Sequence, residues 1–432
     1  MKRLILNSPK GEQGRAANLN RKVAPPTPSK LKATRLAVAT LVAVFVLAVQ
    51  PNALSWARGP GGLSNPAANA PVTANSGTLI EAARTGNLDD LSRLLTAGTS
   101  PNQADGAKRT ALIHAAQTGN AAAVRILLEA GAIANLIDAT GRSALSYAVL
   151  ARLPDTVAAL LDGGADPNKI DFKGGFPLLF AANNGDGNIV QVLLHRGAKA
   201  NASSKAGDTP LMIAAHQGNI SVTHLLIDAK ADISAKNHGG VTALMRAAAS
   251  GHEAVVDALV RAGAKSSTQS SRGWTALTYA AMGGHDEVAE QLLTHGADAN
   301  SLGKSGITPL MLASAQGHLT TAKLLIKGGA KVNLADQRNV TALMGAAQNG
   351  HEAVVKVLLA AGAEHGQIDH QGRTALIWAA DGGHYRIVTL LLAIGADPNI
   401  TDHSGNSAKD QALLRGYEHI VKLLPDPKPP IN

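Results

Sequence analysis

The alternation of apolar and polar positions is most regular between Thr341 and Ala363, where it predicts two short antiparallel helices. Thr341 can cap the first helix, because a threonine hydroxyl accepts a hydrogen bond from one of the free backbone N–H groups there. The apolar residues recur at helical spacing, as Leu343, Ala346 and Ala347 in the first helix and Val354, Val355, Leu358 and Leu359 in the second. Gly350 and Gly362 are placed to end the two helices in the left-handed conformation. Helices this short are unstable alone in water, so the pair must pack against neighbours.

The same pattern recurs along the chain with a fixed period of 33 residues. We use Leu343 as a reference position, and its equivalents are Leu79, Leu112, Leu145, Leu178, Leu211, Leu244, Leu277, Leu310, Leu376 and Lys409. An alanine follows three residues after each of them, from Ala82 to Ala412. A fixed period of helix pairs joined by turns is typical of a stacked array. The sequence therefore predicts eleven repeats, which we number in chain order.

These units resemble the ankyrin repeat family over residues 77–425, through TPLMIAAHQGN from Thr209, TALMRAAASGH from Thr242 and TPLMLASAQGH from Thr308. The resemblance implies an all-α solenoid with short β-hairpin turns, which binds other proteins through a rigid concave and hairpin surface. The histidine of the family's TPLH motif is absent here. Methionine replaces it in four repeats, at Met212, Met245, Met311 and Met344, and we expect ordinary packing there.

Residues 1–57 have a different character from the repeats. Residues 1–35 hold nine basic side chains and one acidic side chain, and the apolar stretch Leu36–Val49 follows. Ser55 and Ala57 are small residues at the spacing of a signal-peptidase site, so the segment reads as a secretory signal cleaved after Ala57. The uncharged interval between Arg35 and Arg58 is 22 residues long, so an uncleaved membrane anchor is the alternative. Either reading places the repeats outside the cytoplasm, in the periplasm of a bacterial host.

Four further segments complete the predicted organisation. Residues 58–76 are rich in Gly, Pro, Ala and Asn and are expected to form a flexible linker. Within the array of residues 77–425, residues 77–109 and 402–425 are expected to be terminal caps. The Pro-rich tail is residues 426–432.

Charge and composition exclude several classes of function. The whole chain carries +9, but without residues 1–57 it retains 31 basic and 30 acidic residues, a net charge of +1. With so few aromatic residues to stack on bases, we expect no nucleic-acid partner. Cysteine is absent, which excludes thiol catalysis and thiolate-bound metal. No catalytic triad, HExxH motif or phosphate-binding glycine loop is present, so we predict a protein that is not an enzyme and binds no cofactor.

The histidines suggest structural roles. Five of them directly follow the glycine that ends a first helix, at 33-residue spacing, and are expected to form hydrogen bonds in the inter-helix turn: His252, His285, His318, His351 and His384. His370 and His403 share a turn position in consecutive repeats, but two histidines without thiolates make a weak zinc site, so we predict no metal. Lys230 replaces the glycine that ends the second helix of the fifth repeat, and left-handed backbone there would strain it.

The array is therefore interpreted as a protein-binding module, with a membrane-anchored structural scaffold that stabilises an envelope or periplasmic enzyme as the alternative. The position three residues before the reference leucine is free to vary, and it is apolar in four consecutive repeats, at Val241, Trp274, Ile307 and Val340. These side chains are predicted to form an apolar ridge that binds the partner, or alternatively to pack only against one another. Four aromatic residues lie two positions after the reference leucine and are expected to be buried in the inner-helix layer: Tyr147, Phe180, Tyr279 and Trp378.

Overall fold

The structure is a computed structural model that describes residues 78–426. The predicted signal segment or anchor, the linker and most of the Pro-rich tail lie outside these residues. Within the described part, none of the helices is long and apolar enough to cross a membrane.

The described residues form 22 helices, which follow one another as eleven helix pairs, and we keep the predicted repeat numbers for them. The first helices of the repeats are α1 (Leu79–Thr85), α3 (Ala111–Thr118), α5 (Ala144–Leu150), α7 (Pro177–Asn184), α9 (Pro210–Gln217), α11 (Ala243–Ser250), α13 (Ala276–Gly283), α15 (Pro309–Gln316), α17 (Ala342–Gln348), α19 (Ala375–Asp381) and α21 (Ala408–Arg415). The second helices are α2 (Leu88–Thr96), α4 (Ala121–Glu129), α6 (Pro154–Asp162), α8 (Gly187–His195), α10 (Ile220–Asp228), α12 (Glu253–Arg261), α14 (Asp286–Thr294), α16 (Leu319–Lys327), α18 (Glu352–Ala360), α20 (Tyr385–Ala393) and α22 (Glu418–Val421).

The helix ends follow from the residues at the caps. The Thr341 hydroxyl accepts a hydrogen bond from the Met344 N–H at 3.3 Å, and equivalent threonines or serines cap most of the first helices. Many first helices end at a glycine with positive φ, such as Gly251 at 74°. Lys230 has φ 61°, so the expected left-handed backbone is confirmed at that residue.

The repeats stack into two layers of helices. Each odd-numbered helix contacts the odd-numbered helices of the adjacent repeats, and each even-numbered helix contacts its even-numbered neighbours. The reference leucines lie between the layers and are at most 2% exposed, from Leu79 to Leu376. This arrangement confirms the predicted all-α solenoid of stacked helix pairs.

The connections between repeats fold as hairpins. In all ten connections, the backbone N–H seven residues before the reference position donates to the carbonyl three residues before it, as from Ser270 to Trp274 at 2.9 Å. Four of the hairpins also contain an isolated antiparallel bridge: Ala104 to Thr110, Ile137 to Ser143, Ala335 to Thr341, and Thr401 to Ser407. We call the three residues enclosed by each hairpin, six to four positions before the reference position, the hairpin tip.

Candidate partner-binding surface

The four residues of the predicted apolar ridge occupy equivalent places in consecutive hairpins, each directly before the threonine that caps a first helix. Val241, Ile307 and Val340 are half-buried, so each leaves part of its side chain open to a partner. Trp274 is only 7% exposed. The role of these residues in partner binding stays a prediction, and the three aliphatic members present more of their side chains than the tryptophan does.

Trp274 is covered by neighbours in its own and the next repeat. Its ring lies 5.4 Å from the Tyr279 ring in an edge-to-face arrangement, and the Arg272 guanidinium lies 5.5 Å from its centroid. Gly303 lies on another side, where an added Cβ would approach the indole Cδ1 to 2.9 Å. A cation over an aromatic face and an edge-to-face pair both stabilise a fixed ring position. The indole therefore supports the hairpin surface around it.

The chemistry of the hairpins changes in the middle of the array. Where the residue three before the reference position is an arginine, the residue seven before it is an aspartate: Asp105 and Arg109, Asp138 and Arg142, Asp369 and Arg373. Where it is Val241, Trp274 or Ile307, the residue seven before is instead Asn237, Ser270 or Gly303. Across the sixth to eighth repeats, apolar and neutral residues thus occupy the positions where other hairpins have arginine and aspartate. The ninth repeat combines Val340 with Asp336, and Arg338 of the tip pairs with that aspartate at 3.2 Å.

Ion pairs stabilise hairpins near both ends of the array. Arg373 contacts Asp369 at 2.8 Å, and its guanidinium lies 3.5 Å from the centre of the Trp378 ring. Burial alone would raise the pKa of Asp105, but hydrogen bonds from the Arg109 N–H, from His114 and from the Ala107 N–H lower it to about 2. The Asp105 carboxylate therefore remains charged at neutral pH and fixes the hairpin that bears it.

A buried ion pair joins the fifth and sixth repeats, and sequence reasoning missed it. Arg246 of α11 contacts Asp208 at 2.8 Å, and Asn237 donates to the same carboxylate oxygen at 2.7 Å. Asp208 lies three residues before its own reference leucine, and Arg246 lies two residues after the reference leucine of the next repeat. The opposite charges at these two positions in adjacent repeats were the available signal.

The predicted burial of the four aromatic residues is confirmed for two of them. Phe180 and Trp378 are buried in the inner-helix layer, whereas Tyr147 and Tyr279 are half-buried there. The Tyr147 hydroxyl donates to Asp138 at 2.5 Å, and burial is the main reason that the pKa of this phenol is raised. Tyr147 thus takes the place that an arginine takes in other hairpins.

The five regularly spaced histidines have a structural role, as predicted, but their Nε2 hydrogen bonds reach the preceding repeat and not the inter-helix turn. Each Nε2 donates to a carbonyl oxygen of the preceding repeat at 2.8–3.1 Å: His252 to His216, His285 to Ala249, His318 to Met282, His351 to Ala315, and His384 to Gln348. Burial is the main reason that the pKa of His351 is lowered, and its hydrogen bond to Ala315 only partly offsets this. The histidines join the fifth to tenth repeats in a continuous series.

His370 and His403 are both exposed at consecutive hairpin tips. No group of three or more metal-ligating side chains occurs among residues 78–426.

The family model described as "Ankyrin repeats (3 copies)" matches residues 79–171, 178–270, 262–336 and 328–402. The chain belongs to the ankyrin repeat family. No curated protein sequence matches it. Ankyrin repeats generally mediate protein–protein interactions and are typically not enzymes.

Proposed function

We propose that this ankyrin-repeat chain is an exported protein that binds a protein partner through the hairpins of its sixth to ninth repeats. The observation that supports this site is the run of half-buried apolar residues Val241, Ile307 and Val340, which at Val241 and Ile307 comes with a neutral residue, Asn237 or Gly303, in place of the hairpin aspartate. Half-buried apolar side chains on rigid hairpins lose little conformational freedom on binding, because packing within the array already restricts them.

Ile307→Arg is expected to weaken partner binding by at least about fivefold, because it places a solvated charge where apolar contact is expected. The full-length tagged chain is isolated from its host with the proteins bound to it, and the affinity of the principal protein is then measured for the variants. Thr320→Arg is the matched control, since Thr320 is exposed on α16 of the same repeat and the change adds the same charge. Equal affinities of the two variants, with equal melting temperatures, would exclude this surface.

The proposal of export rests on the basic residues before the apolar stretch Leu36–Val49, which lie outside the described residues. A phosphatase that folds only outside the cytoplasm, fused after Ser76, is expected to be active. The same fusion without residues 1–57 should be inactive. Activity only from a reporter that requires the cytoplasm would refute export. Release of the active fusion from membranes would indicate cleavage after Ala57, and retention would indicate the anchored scaffold.

A further inference from the structure

The hairpin tips have an uneven distribution of charge. Across the ten tips no residue is acidic, whereas six are basic: Lys108, Lys173, Lys205, Arg272, Lys304 and Arg338. We call these six residues the basic ridge. His238, His370 and His403 occupy the same row, and all nine side chains are exposed. The repeats have a net charge near zero, but the row of hairpin tips is positively charged.

Six of the ten hairpins begin with an aspartate, seven residues before the reference position. Asp171 is 4% exposed, and one of its carboxylate oxygens accepts hydrogen bonds from the Lys173 and Gly175 N–H groups at 2.9 and 2.8 Å. Asp138 and Asp369 are also 4% exposed and accept equivalent bonds from their own hairpins. These three carboxylates are buried and bonded within their own hairpins, whereas Asp336 pairs with Arg338 of the basic ridge at 3.2 Å.

The tips form one continuous row. The Lys304 N–H donates to the Arg272 carbonyl at 2.9 Å, and equivalent backbone bonds join most consecutive tips. At the junction between the fourth and fifth repeats, the Lys205 ammonium donates to the Phe172 carbonyl at 2.6 Å. Since stacked helices lie about 8–10 Å apart, the row offers a position for a cation at about that interval.

Large apolar side chains are exposed along the same row. Phe172 lies within a tip and is 61% exposed. Three further residues directly precede the hairpins and are about half exposed: Ile170, Leu302 and Ile368. Ile170 and Phe172 lie beside Lys173, so this part of the row combines apolar contact area with positive charge.

We propose that the basic ridge binds an acidic, extended segment of a protein partner, with a carboxylate at about every third residue. This inference rests on the proposed protein-binding function and names the chemistry of the partner. An extended chain advances about 3.3 Å per residue, so three residues match the spacing of one repeat.

Double-stranded DNA carries a charge about every 1.7 Å, far more densely than the ridge. A flat anionic lipid surface would meet only this single row of cations. Carboxylates of the segment would form charge-assisted bonds to lysine and arginine, while its apolar residues cover Phe172 and Ile170.

The test uses the full-length chain and a labelled peptide of about 15 residues with glutamate at every third position and serine or alanine between. Fluorescence anisotropy is expected to show binding that weakens as salt rises, and no binding of the peptide in which glutamine replaces glutamate. The triple variant Lys108→Gln, Lys173→Gln, Lys304→Gln should bind at least about fivefold more weakly. The matched control is Lys323→Gln, Lys327→Gln, Lys331→Gln, which removes the same charge from exposed positions outside the hairpins.

Three outcomes would overturn the proposal. The glutamine peptide could bind as well as the glutamate peptide, or the two triple variants could lose equal affinity. Alternatively, an oligothymidylate, or vesicles of phosphatidylcholine and phosphatidylglycerol in equal amounts, could bind more tightly than the peptide and lose that binding in the ridge variant. Because the effect of Ile307→Arg on the natural partner is measured separately, failure of the ridge proposal would leave the protein-binding proposal standing.

Discussion

Leu358→Ala is expected to lower the free energy of unfolding by about 2–5 kcal/mol, the range for a leucine in a packed core. Leu358 is fully buried in α18, which contacts α17 of its own repeat and α16 and α20 of the adjacent repeats. Alanine would leave a cavity between these helices, which can close only partly because each is already held by its own neighbours. Urea unfolding followed by circular dichroism measures the loss.

Leu413→Ala is the matched control for this prediction. Leu413 lies in α21 of the last repeat and is 64% exposed, so its truncation should change stability by less than about 0.5 kcal/mol. Each repeat in the stack contacts only adjacent ones. Leu358→Ala should therefore also cause the last three repeats to unfold first, in a transition separate from that of the other repeats. Equal effects of the two substitutions would show that Leu358 does not contribute to a core.

The helical stack could be predicted from the sequence because one short pattern is repeated. Thr341 marks a helix start, Gly350 a helix end and Leu343 a core position, and each inference is supported by its equivalents in other repeats. The structural role of the histidines was predictable for the same reason. His285 recurs at a fixed place in a turn, and a partly buried imidazole needs a partner for its N–H group.

The candidate surface was harder to predict. The spacing of the repeats places the backbone of Trp274, but the rotamer of a large ring depends on what surrounds it, here Tyr279, Arg272 and Gly303. The positive row of tips was missed for a different reason. Net charge sums over all repeats, whereas the charges of the tips become visible only when residues at one repeat position are compared, such as Lys173, Lys205 and Lys304.

A histidine of one repeat approaches the helix-ending glycine of the preceding repeat closely. The sequence alone does not reveal this contact. Gly251 has φ 74°, and a Cβ added there would lie 2.5 Å from Nδ1 of His285. The His285 ring cannot move away without loss of its 3.0 Å hydrogen bond to the Ala249 carbonyl. In the third repeat, Arg152 takes the equivalent position at φ 60°, and the residue after the equivalent glycine of the next repeat is Asp186 instead of a histidine. A side chain is therefore tolerated where no imidazole faces it.

Gly251→Ala is accordingly expected to lower the free energy of unfolding by about 2–4 kcal/mol, the sum of left-handed strain and a lost or distorted hydrogen bond. Gly416→Ala is the control, since Gly416 has φ 77° and nothing within 4 Å of an added Cβ. It should lose only the strain, about 1–2 kcal/mol. In a chain that already carries His285→Ala, the cost of Gly251→Ala should fall to the same value, because the opposing ring is gone. Thermal and urea unfolding of the four combinations measure this coupling. An unchanged cost without the imidazole would mean that the glycine is required by its backbone conformation alone and that the histidine does not limit how closely the repeats approach.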